Sequence, residues 1–355
     1  ENPFSDSSVK DGVLVIPGNL KSCSIFSPIG SKLKNQGRYT FLRSPKLNFE
    51  DEGKEIEKVI VSAACRGTGT DRGIIYDLYM NGTCLGAGSA RELNNVSSFG
   101  YNSGYRQVYY NSYDVTELLG AADANVISAV GNSRDGARSI LIQATAFYKD
   151  GTKEIICNSG RDKDQWKTLD GTNAFGDDGS GIGTGYVQVL HDNYNAKFYP
   201  FGWQNVDYDD TEWSTSHKTF TLADNTTGTT GAVLYPFSSE NALRFETREE
   251  TERIYENGTS LIVDLGKEII GGLKVNIDSA SAQTVTVRMG EELNSDGSVR
   301  NNMRALQGGA YEDKWTLAKG INPFETVTMR NFRYVELIGL DDETKAKMME
   351  DLDCV

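Results

Sequence analysis

The sequence predicts an all-β chain built as two tandem antiparallel β-sandwiches, followed by one short helix. Short β-branched runs recur along the chain and are separated by Gly, Asn and Asp turn signals. The 355 residues include 37 Gly, 17 Tyr and 14 Phe but only 7 Pro, a composition typical of strands joined by turns. One stretch alone has clear helical character, DDETKAKMMEDL at residues 341–352, which carries acidic residues in its first turn.

The first half of the chain is expected to form an N-terminal strap and the first sandwich. Residues 1–35 contain one apolar run, VLVI, and predict a strap that packs on a later domain. Residues 36–218 carry closely spaced strand signals, and Asn81-Gly82 predicts a tight hairpin turn between two of them. The stretch from 158 to 185 is polar and Gly-rich, which predicts a long loop within this sandwich.

The second half is expected to form a linker, the second sandwich and the helix. Residues 219–235 are rich in Thr, Gly and Asn, as is typical of a linker. The stretch from 236 to 340 contains the β-branched runs LIVDLGKEIIGGLKVNI and TVTVRMGEEL and ends in RNFRYVELIGL, which predicts antiparallel strands. The predicted helix begins at residue 341, and residues 341–355 form the last segment of the chain.

Charge and composition exclude several function classes. The net charge is −14 and the pI about 4.8, and no basic patch is visible, so nucleic acid is not an expected partner. No apolar run is long enough to span a membrane, and no signal peptide is recognised, which leaves cytoplasmic and exported locations both open. The five Cys are scattered without a C-x-x-C pair, which is typical of free thiols.

The sequence offers no catalytic constellation. Hydrolysis by a pair of carboxylates needs one on either side of the scissile bond. The tempting pair, Glu291 and Glu292, is adjacent on a predicted strand, so the two side chains point to opposite faces. Only two His are present, without Cys or His at metal-ligand spacing, and no cofactor is required by any motif. We therefore predict no catalytic residue in this chain.

Several motifs in series resemble one family of enzymes. The order IVDLG, GG, RMGEEL, DG and FRYVE between residues 262 and 336 is similar to the β-sandwich that precedes the catalytic domain in bacterial α-L-rhamnosidases, glycoside hydrolase family 78. Upstream, YDLYMNG, YDVTEL and NVISAVG resemble the jelly roll of rhamnose-binding modules, carbohydrate-binding module family 67. NYNAKFYPFGW and YDDTEW resemble the junction between these two domains. The resemblance covers residues 36 to 340.

The resemblance implies a fold and a role. Both sandwiches would be of jelly-roll type, and the chain would be the non-catalytic N-terminal region of an inverting hydrolase that acts on terminal α-L-rhamnose. The family's catalytic (α/α)6 barrel is absent, and residues 341–355 would begin the linker helix toward that missing domain of the same polypeptide. The alternative is a free-standing glycan-binding or surface-interaction protein that consists of β-modules alone.

The resemblance also implies candidate sugar-binding residues in the first sandwich. Asn81 and Asn132 match the loop positions that hold a rhamnose-containing glycan in these modules, where a calcium ion takes part. Tyr101 and Tyr105 are candidates for an aromatic platform, and Asp135 is a candidate calcium ligand. The chain reads GNSRDG where the family commonly has G-x-G-W-Y, so the expected affinity is weak, on the order of millimolar.

Two further expectations concern the second sandwich. A strand face rarely buries an unpaired Arg, so Arg333 in FRYVE is expected to pair with Asp264 or Glu291. A surface that packs on a missing catalytic domain would be apolar, and we expect such an exposed patch around Phe324, Phe332 and the Met348-Met349 pair.

Overall fold

The computed structural model describes residues 8–10, 13–15, 21–24, 39–51, 53–67, 74–88, 106–133, 138–159, 165–176, 181–182, 189–221, 232–236, 251–302 and 309–355. The chain divides into two compact units. The first unit contains Glu1–Asp170 and Gly202–Phe245, and the second contains Gly171–Phe201 and Glu246–Val355. Each unit is therefore assembled from two separate stretches of sequence.

The described residues form twenty-four strands, which are numbered in chain order. The first twelve lie in the first unit: β1 Ser8–Lys10, β2 Val13–Val15, β3 Lys21–Ser24, β4 Tyr39–Arg43, β5 Ile56–Gly67, β6 Ile74–Met80, β7 Thr83–Gly88, β8 Arg106–Asp114, β9 Ile127–Ser133, β10 Arg138–Tyr148, β11 Lys153–Asn158 and β12 Lys167–Asp170. Two lie in the second unit, β13 Gly181–Ile182 and β14 Val189–Leu190, and three return to the first, β15 Ser214–Thr215, β16 His217–Thr221 and β17 Ala232–Pro236. The second unit then holds β18 Arg253–Asn257, β19 Ser260–Gly271, β20 Lys274–Ser279, β21 Gln283–Gly290, β22 Glu312–Leu317, β23 Gly320–Glu325 and β24 Arg330–Ile338.

The first unit is a sandwich of two sheets. The larger sheet has the order β1-β2-β17-β8-β5-β10-β3-β16, with β11 also paired to β10, and the smaller sheet has the order β15-β12-β4-β9-β6-β7. All pairs are antiparallel except β8 with β17. Buried apolar side chains from both sheets form one core, which includes Leu42 and Leu78 from the smaller sheet and Val59 and Ile142 from the larger one. The alternating β-branched runs of the sequence supply this core.

The second unit contains a five-stranded sheet of order β18-β19-β24-β21-β22 and two two-stranded sheets, β20-β23 and β13-β14. Every pair is antiparallel. Trp315 of β22 and Phe324 of β23 are both buried, and their ring centroids lie 5.7 Å apart. The prediction of an all-β chain is confirmed by the two units together.

Helices are short in the described part of the chain. Helix α1 spans Thr172–Phe175 and helix α2 spans Asp342–Glu350. The side chain of Asp341 caps α2 by accepting a hydrogen bond of 2.8 Å from the Thr344 amide, and Asp342 and Glu343 occupy its first turn. The helix predicted at 341–352 is therefore confirmed.

The division into units differs from the predicted domains in one stretch. Residues 171–201, which the predicted boundaries include in a first sandwich of residues 36–218, lie with the second unit. The predicted linker at 219–235 contains the end of β16 and most of β17, and both strands belong to the larger sheet of the first unit. Strands β1 to β3, in the predicted N-terminal strap, belong to the same sheet.

The last part of the stretch 171–201 forms what we call the edge segment, residues 189–201. It lies along β22, which would otherwise be the open edge of the five-stranded sheet. The Thr316 amide donates a hydrogen bond of 2.7 Å to the Tyr194 carbonyl, and the Ala196 amide donates one of 2.9 Å to the Thr316 carbonyl. The segment thereby occupies backbone groups that an uncovered edge would leave open to pairing with another chain.

The predicted exposed patch is wrong for three of its four members. Phe324, Phe332 and Met348 are buried, and only Met349 is exposed. Phe324 is enclosed by aromatic rings from residues 171–201, with centroids 4.2 Å away for Tyr194, 5.5 Å for Tyr199 and 6.1 Å for Phe175. The sequence analysis placed these residues in the other domain, and it therefore left the apolar face without a cover.

Candidate functional site

Asn81, the first candidate sugar ligand, builds the turn between β6 and β7. Its backbone φ is +52° and that of Gly82 is +85°, as a two-residue hairpin turn of this kind requires. The Asn81 amide nitrogen donates hydrogen bonds of 2.9 Å to the Leu118 carbonyl and of 2.9 Å to Asn125 Oδ1, and its oxygen accepts one of 2.8 Å from the Val126 amide. The side chain therefore spends its hydrogen-bonding groups on the fold itself.

Asn132, the second candidate, lies far from Asn81 on the same sheet. Asn132 in β9 is paired with Ile75 at the start of β6, whereas the Asn81 amide bonds to the Val126 carbonyl beyond the end of that strand pair. Six residues of extended strand separate Val126 from Asn132, which is about 20 Å. Asn81 and Asn132 therefore belong to opposite ends of this strand pair, and their assignment to a sugar site stays a prediction.

The other candidates cannot be placed. Tyr101, Tyr105 and Asp135 lie outside the described residues. Among the residues that are described, no three His, Cys, Asp or Glu side chains come together as a possible metal site. Calcium binding in the first sandwich is thus not indicated by the described part of the chain.

The Trp residues near the predicted junction are core residues of the first unit. Trp203 and Trp213 are buried and pack on Phe41 of β4, with ring centroids 5.0 and 6.2 Å away. Arg43 at the end of β4 is also buried, and its guanidinium donates to the Trp203 and Asn205 carbonyls and pairs with Asp210 at 3.0 Å. These rings hold residues 202–213 on the sheet and present no open face to a sugar.

The second unit contains a buried ionic cluster, which we define as His191, Asp192, Asp313, Thr328 and Arg330. Arg330 makes two hydrogen bonds to Asp313, of 2.5 and 3.1 Å, and one of 3.1 Å to the Leu190 carbonyl. Asp192 accepts from the Thr328 amide at 3.0 Å and from the Thr328 hydroxyl. Asp192, Asp313 and Arg330 are all almost completely buried, so each depends on the others for its charge to be tolerated.

His191 completes the cluster at its more exposed side. Its Nδ1 lies 2.8 Å from the Glu312 carbonyl oxygen and 3.2 Å from Asp313 Oδ1. Both partners are acceptors, so Nδ1 carries the hydrogen. The Asp192 amide also donates to Asp313 Oδ1, at 3.1 Å. One carboxylate, Asp313, therefore ties the edge segment to both β22 and β24.

Burial and charge shift the acidities of this cluster in opposite directions. Burial raises the pKa of Asp192, against the opposing effect of Arg330. Burial also acts to raise the pKa of Asp313, but Arg330 and His191 outweigh it and hold that pKa below its usual range. The hydrogen bond to Asp313 raises the pKa of His191. The carboxylates of the cluster are buried and closed to a substrate. Because the hydrogen bonds of the cluster run between the edge segment and the sheet, we infer that it attaches the segment.

The sequence analysis singled out Arg333 and missed Arg330. The predicted partner of Arg333 is confirmed, because it makes two hydrogen bonds to Asp264, of 2.9 and 3.1 Å. Arg330 and Asp313 carried a usable signal. Asp313 lies two and four residues before Trp315 and Leu317 on β22, so it shares their buried face. A charge on that face requires a buried partner.

The adjacent acids Glu291 and Glu292 follow β21. Glu292 is exposed and bonds to Arg300 at 2.7 Å, and Glu291 is only half-buried.

Within the described residues, no helix has the length and apolar character needed to cross a membrane.

Comparison with known proteins shows where related sequences occur. Residues 255–353 match the family described as bacterial alpha-L-rhamnosidase concanavalin-like domain. The chain is 26% identical over 281 residues to an alpha-L-rhamnosidase from Streptomyces avermitilis and 23% identical over 301 residues to one from Formosa agariphila. It covers 24% and 28% of those two proteins, so it spans about a quarter of the curated relatives that it matches.

Solved structures agree with the fold. The structure of the Streptomyces avermitilis alpha-L-rhamnosidase in complex with L-rhamnose matches 86% of this chain, with 21% identity and a TM-score of 0.56, and 27% of that protein is covered. An alpha-L-rhamnosidase from Dictyoglumus thermophilum matches 94% of the chain, with 20% identity and a TM-score of 0.53, and 33% of it is covered. A family 78 rhamnosidase of Bacillus sp. GL1 matches 93% with a TM-score of 0.53, at 10% identity and with 53% of it covered. Residues 255–353 therefore resemble the concanavalin-like domain of bacterial alpha-L-rhamnosidases, and the chain shares the fold of a part of the solved alpha-L-rhamnosidase structures.

Proposed function

We propose that this chain serves as the non-catalytic β-sandwich part of an enzyme that removes terminal α-L-rhamnose with inversion, and that it supports the catalytic domain. The observation that carries the proposal is the match of residues 255–353, which lie within the second unit, to the rhamnosidase domain. The curated relatives are called alpha-L-rhamnosidase, and this chain covers 24% and 28% of their lengths.

The described residues suit support better than catalysis. An inverting glycosidase holds its two carboxylates about 6.5–9.5 Å apart across a space that admits sugar and water. The carboxylates of Asp192 and Asp313 are enclosed and committed to Arg330 and Thr328. The buried Arg43 fixes residues 203–210 to β4, and the buried Arg330 bonds the Leu190 carbonyl of the edge segment to β24, as a rigid scaffold requires.

The alternative is a glycan-binding protein whose ligand contains rhamnose. It is favoured by the rhamnose present in the Streptomyces avermitilis structure, although the ligand there belongs to that protein. Asn81 supports the hairpin and lies far from Asn132, which argues against a site that joins these two residues. Calcium and an aromatic platform would have to come from Asp135, Tyr101 and Tyr105.

Calorimetric titration with L-rhamnose separates the two proposals. The scaffold proposal expects no saturable heat up to about 10 mM sugar, with or without calcium, which corresponds to binding weaker than about −3 kcal/mol. Saturable binding in the millimolar range or tighter that is lost in Asn132→Ala, and that requires calcium, would favour the glycan-binding alternative. Asn81→Ala is unsuitable as a probe of binding, because it removes a turn residue.

Gene context provides a second test of the scaffold proposal. We expect the reading frame to continue past Val355 for several hundred residues, with the sequence pattern of a helical catalytic domain. A stop codon directly after Val355 would contradict the proposal and favour a free-standing β-protein.

A further inference from the structure

The edge segment carries an ionisable side chain at the point where it meets the sheet. His191 is partly exposed, with 24% of its side chain accessible, and it stands directly against the buried Asp313. Three neighbouring backbone contacts, made by Leu190, Asp192 and Tyr194, also hold the segment to β22 and β24. Any change in the charge of His191 therefore acts where the segment is attached.

We propose that docking of the edge segment on the five-stranded sheet is proton-linked through His191, so that the segment is held more firmly in mildly acidic than in mildly alkaline solution. The proposal assigns the segment a pH-dependent attachment in addition to the scaffold role.

The position of His191 against Asp313 is the first argument. The charged groups next to His191 are Asp313 of β22, to which its Nδ1 bonds, and Arg330 of β24. Glu312 contributes its carbonyl oxygen, while its carboxylate bonds to Arg288 at 2.9 Å. Asp313 is fully buried, and a buried carboxylate is stabilised by each donor and positive charge that is brought against it. A proton on His191 adds a positive charge at this carboxylate, on the more exposed side of the cluster.

The directions of the acidities give the second argument. The hydrogen bond to Asp313 raises the pKa of His191, so the docked segment binds this proton more tightly than the released segment does. The stabilisation is complete below the pKa of free His, about 6.5, and is lost as pH rises through the higher pKa of the docked state. The raised pKa of Asp192 acts in the same direction. The lowered pKa of Asp313 opposes docking only in much more acidic solution.

Hydrogen exchange of the full chain tests the proposal. The amides of Asp192 and Ala196 in the segment, of Thr316 in β22 and of Thr328 in the turn before β24 bond across the attachment and report on it. After correction for intrinsic exchange, we expect lower protection at pH 8 than at pH 6. Each unit by which docking raises the His191 pKa corresponds to about a tenfold change in the opening equilibrium.

Two variants isolate the responsible group. His191→Asn keeps a side-chain N–H donor near the position of Nδ1 but cannot take up a proton, and we expect it to abolish the pH difference. His217→Gln, in the first unit, is the matched control and should retain the full difference. Equal protection of the wild-type segment at both pH values would overturn the proposal. A pH difference that persists in His191→Asn would place the proton on Asp192 and overturn the assignment to His191.

A direct titration of His191 does not require the His191→Asn variant to fold. The chain has only two His, so His217→Gln leaves His191 as the sole imidazole. We expect its Hε1 resonance to titrate at a higher pH in the folded chain than in urea. An equal or lower folded pKa would contradict the proposal.

Discussion

Phe324→Ala tests whether residues 171–201 are structural members of the second unit. Phe324 is buried on β23, and its ring meets four others, whose centroids lie between 4.2 and 6.1 Å away. Three of these four rings, Phe175, Tyr194 and Tyr199, come from residues 171–201. Removal of the Phe324 ring therefore weakens the sheet and the attachment of that stretch together.

The expected cost of Phe324→Ala lies at the upper end of the range for such substitutions. Truncation of a buried Phe costs about 3–5 kcal/mol, because burial is lost and a cavity remains. Each well-oriented aromatic pair adds about 0.5–1.5 kcal/mol, and the Tyr199 and Trp315 rings meet Phe324 edge to face. Ile321→Ala is the matched control, since Ile321 lies on the same strand but its side chain is 58% exposed, and it should cost less than about 0.5 kcal/mol.

Urea denaturation monitored by hydrogen exchange measures this cost separately for each unit. We expect Phe324→Ala to lower the stability of peptides from both 190–201 and 312–338, while peptides from β5 and β10 in the first unit keep theirs. A cost below about 1 kcal/mol would refute the described packing around Phe324. Loss of protection in 312–338 alone would show that the edge segment is held independently of this ring.

Three further substitutions extend the account. Asp264→Ala should lower the stability of the second unit above pH 5, because it removes the buried acceptor of the Arg333 hydrogen bonds. Hydrogen bonds from Arg333 and from the Gly266 amide hold the pKa of Asp264 below its usual range despite burial, so this difference should shrink as pH falls below about 4 in acid-denaturation curves. Tyr194→Phe should be neutral or stabilise by up to about 1 kcal/mol in thermal melts, because the Tyr194 hydroxyl is buried without a hydrogen-bond partner among the described residues, and a clear loss would reveal one. Gly290→Ala should cost about 1–3 kcal/mol or more, because a Cβ there would lie 2.3 Å from the Arg300 carbonyl oxygen. Gly271→Ala is the control and should be tolerated, because the nearest atom to its Cβ would be 3.7 Å away. Equal melting temperatures of the two variants would contradict this prediction.

Local patterns in the sequence were sufficient for much of the fold. The hairpin at Asn81-Gly82, the capped helix after Asp341 and the pairing of Arg333 with Asp264 all depend on neighbours in sequence or on strand alternation. The MGEEL motif also has a local cause, because Gly290 lets the Arg300 backbone approach β21.

Non-local pairing accounts for what the sequence did not reveal. The edge segment meets residues more than one hundred positions away, such as Thr316 and Arg330, and no short pattern encodes that contact. Its aromatic residues were therefore assigned to the wrong neighbour, and Phe324 was expected to be exposed. Asn81 was recognised correctly as a turn residue, and its role as a sugar ligand stays a prediction.

Hydrolysis of an aryl α-L-rhamnoside by the purified chain tests the central claim most directly. If the catalytic carboxylates lie outside these residues, as the scaffold proposal holds, the chain should release phenol no faster than the heat-denatured chain does. This should hold even at high protein concentration and long incubation. A catalytically complete α-L-rhamnosidase in the same assay shows that the substrate is competent. Turnover that rises in proportion to the chain, and that is absent from a mock purification, would contradict the account.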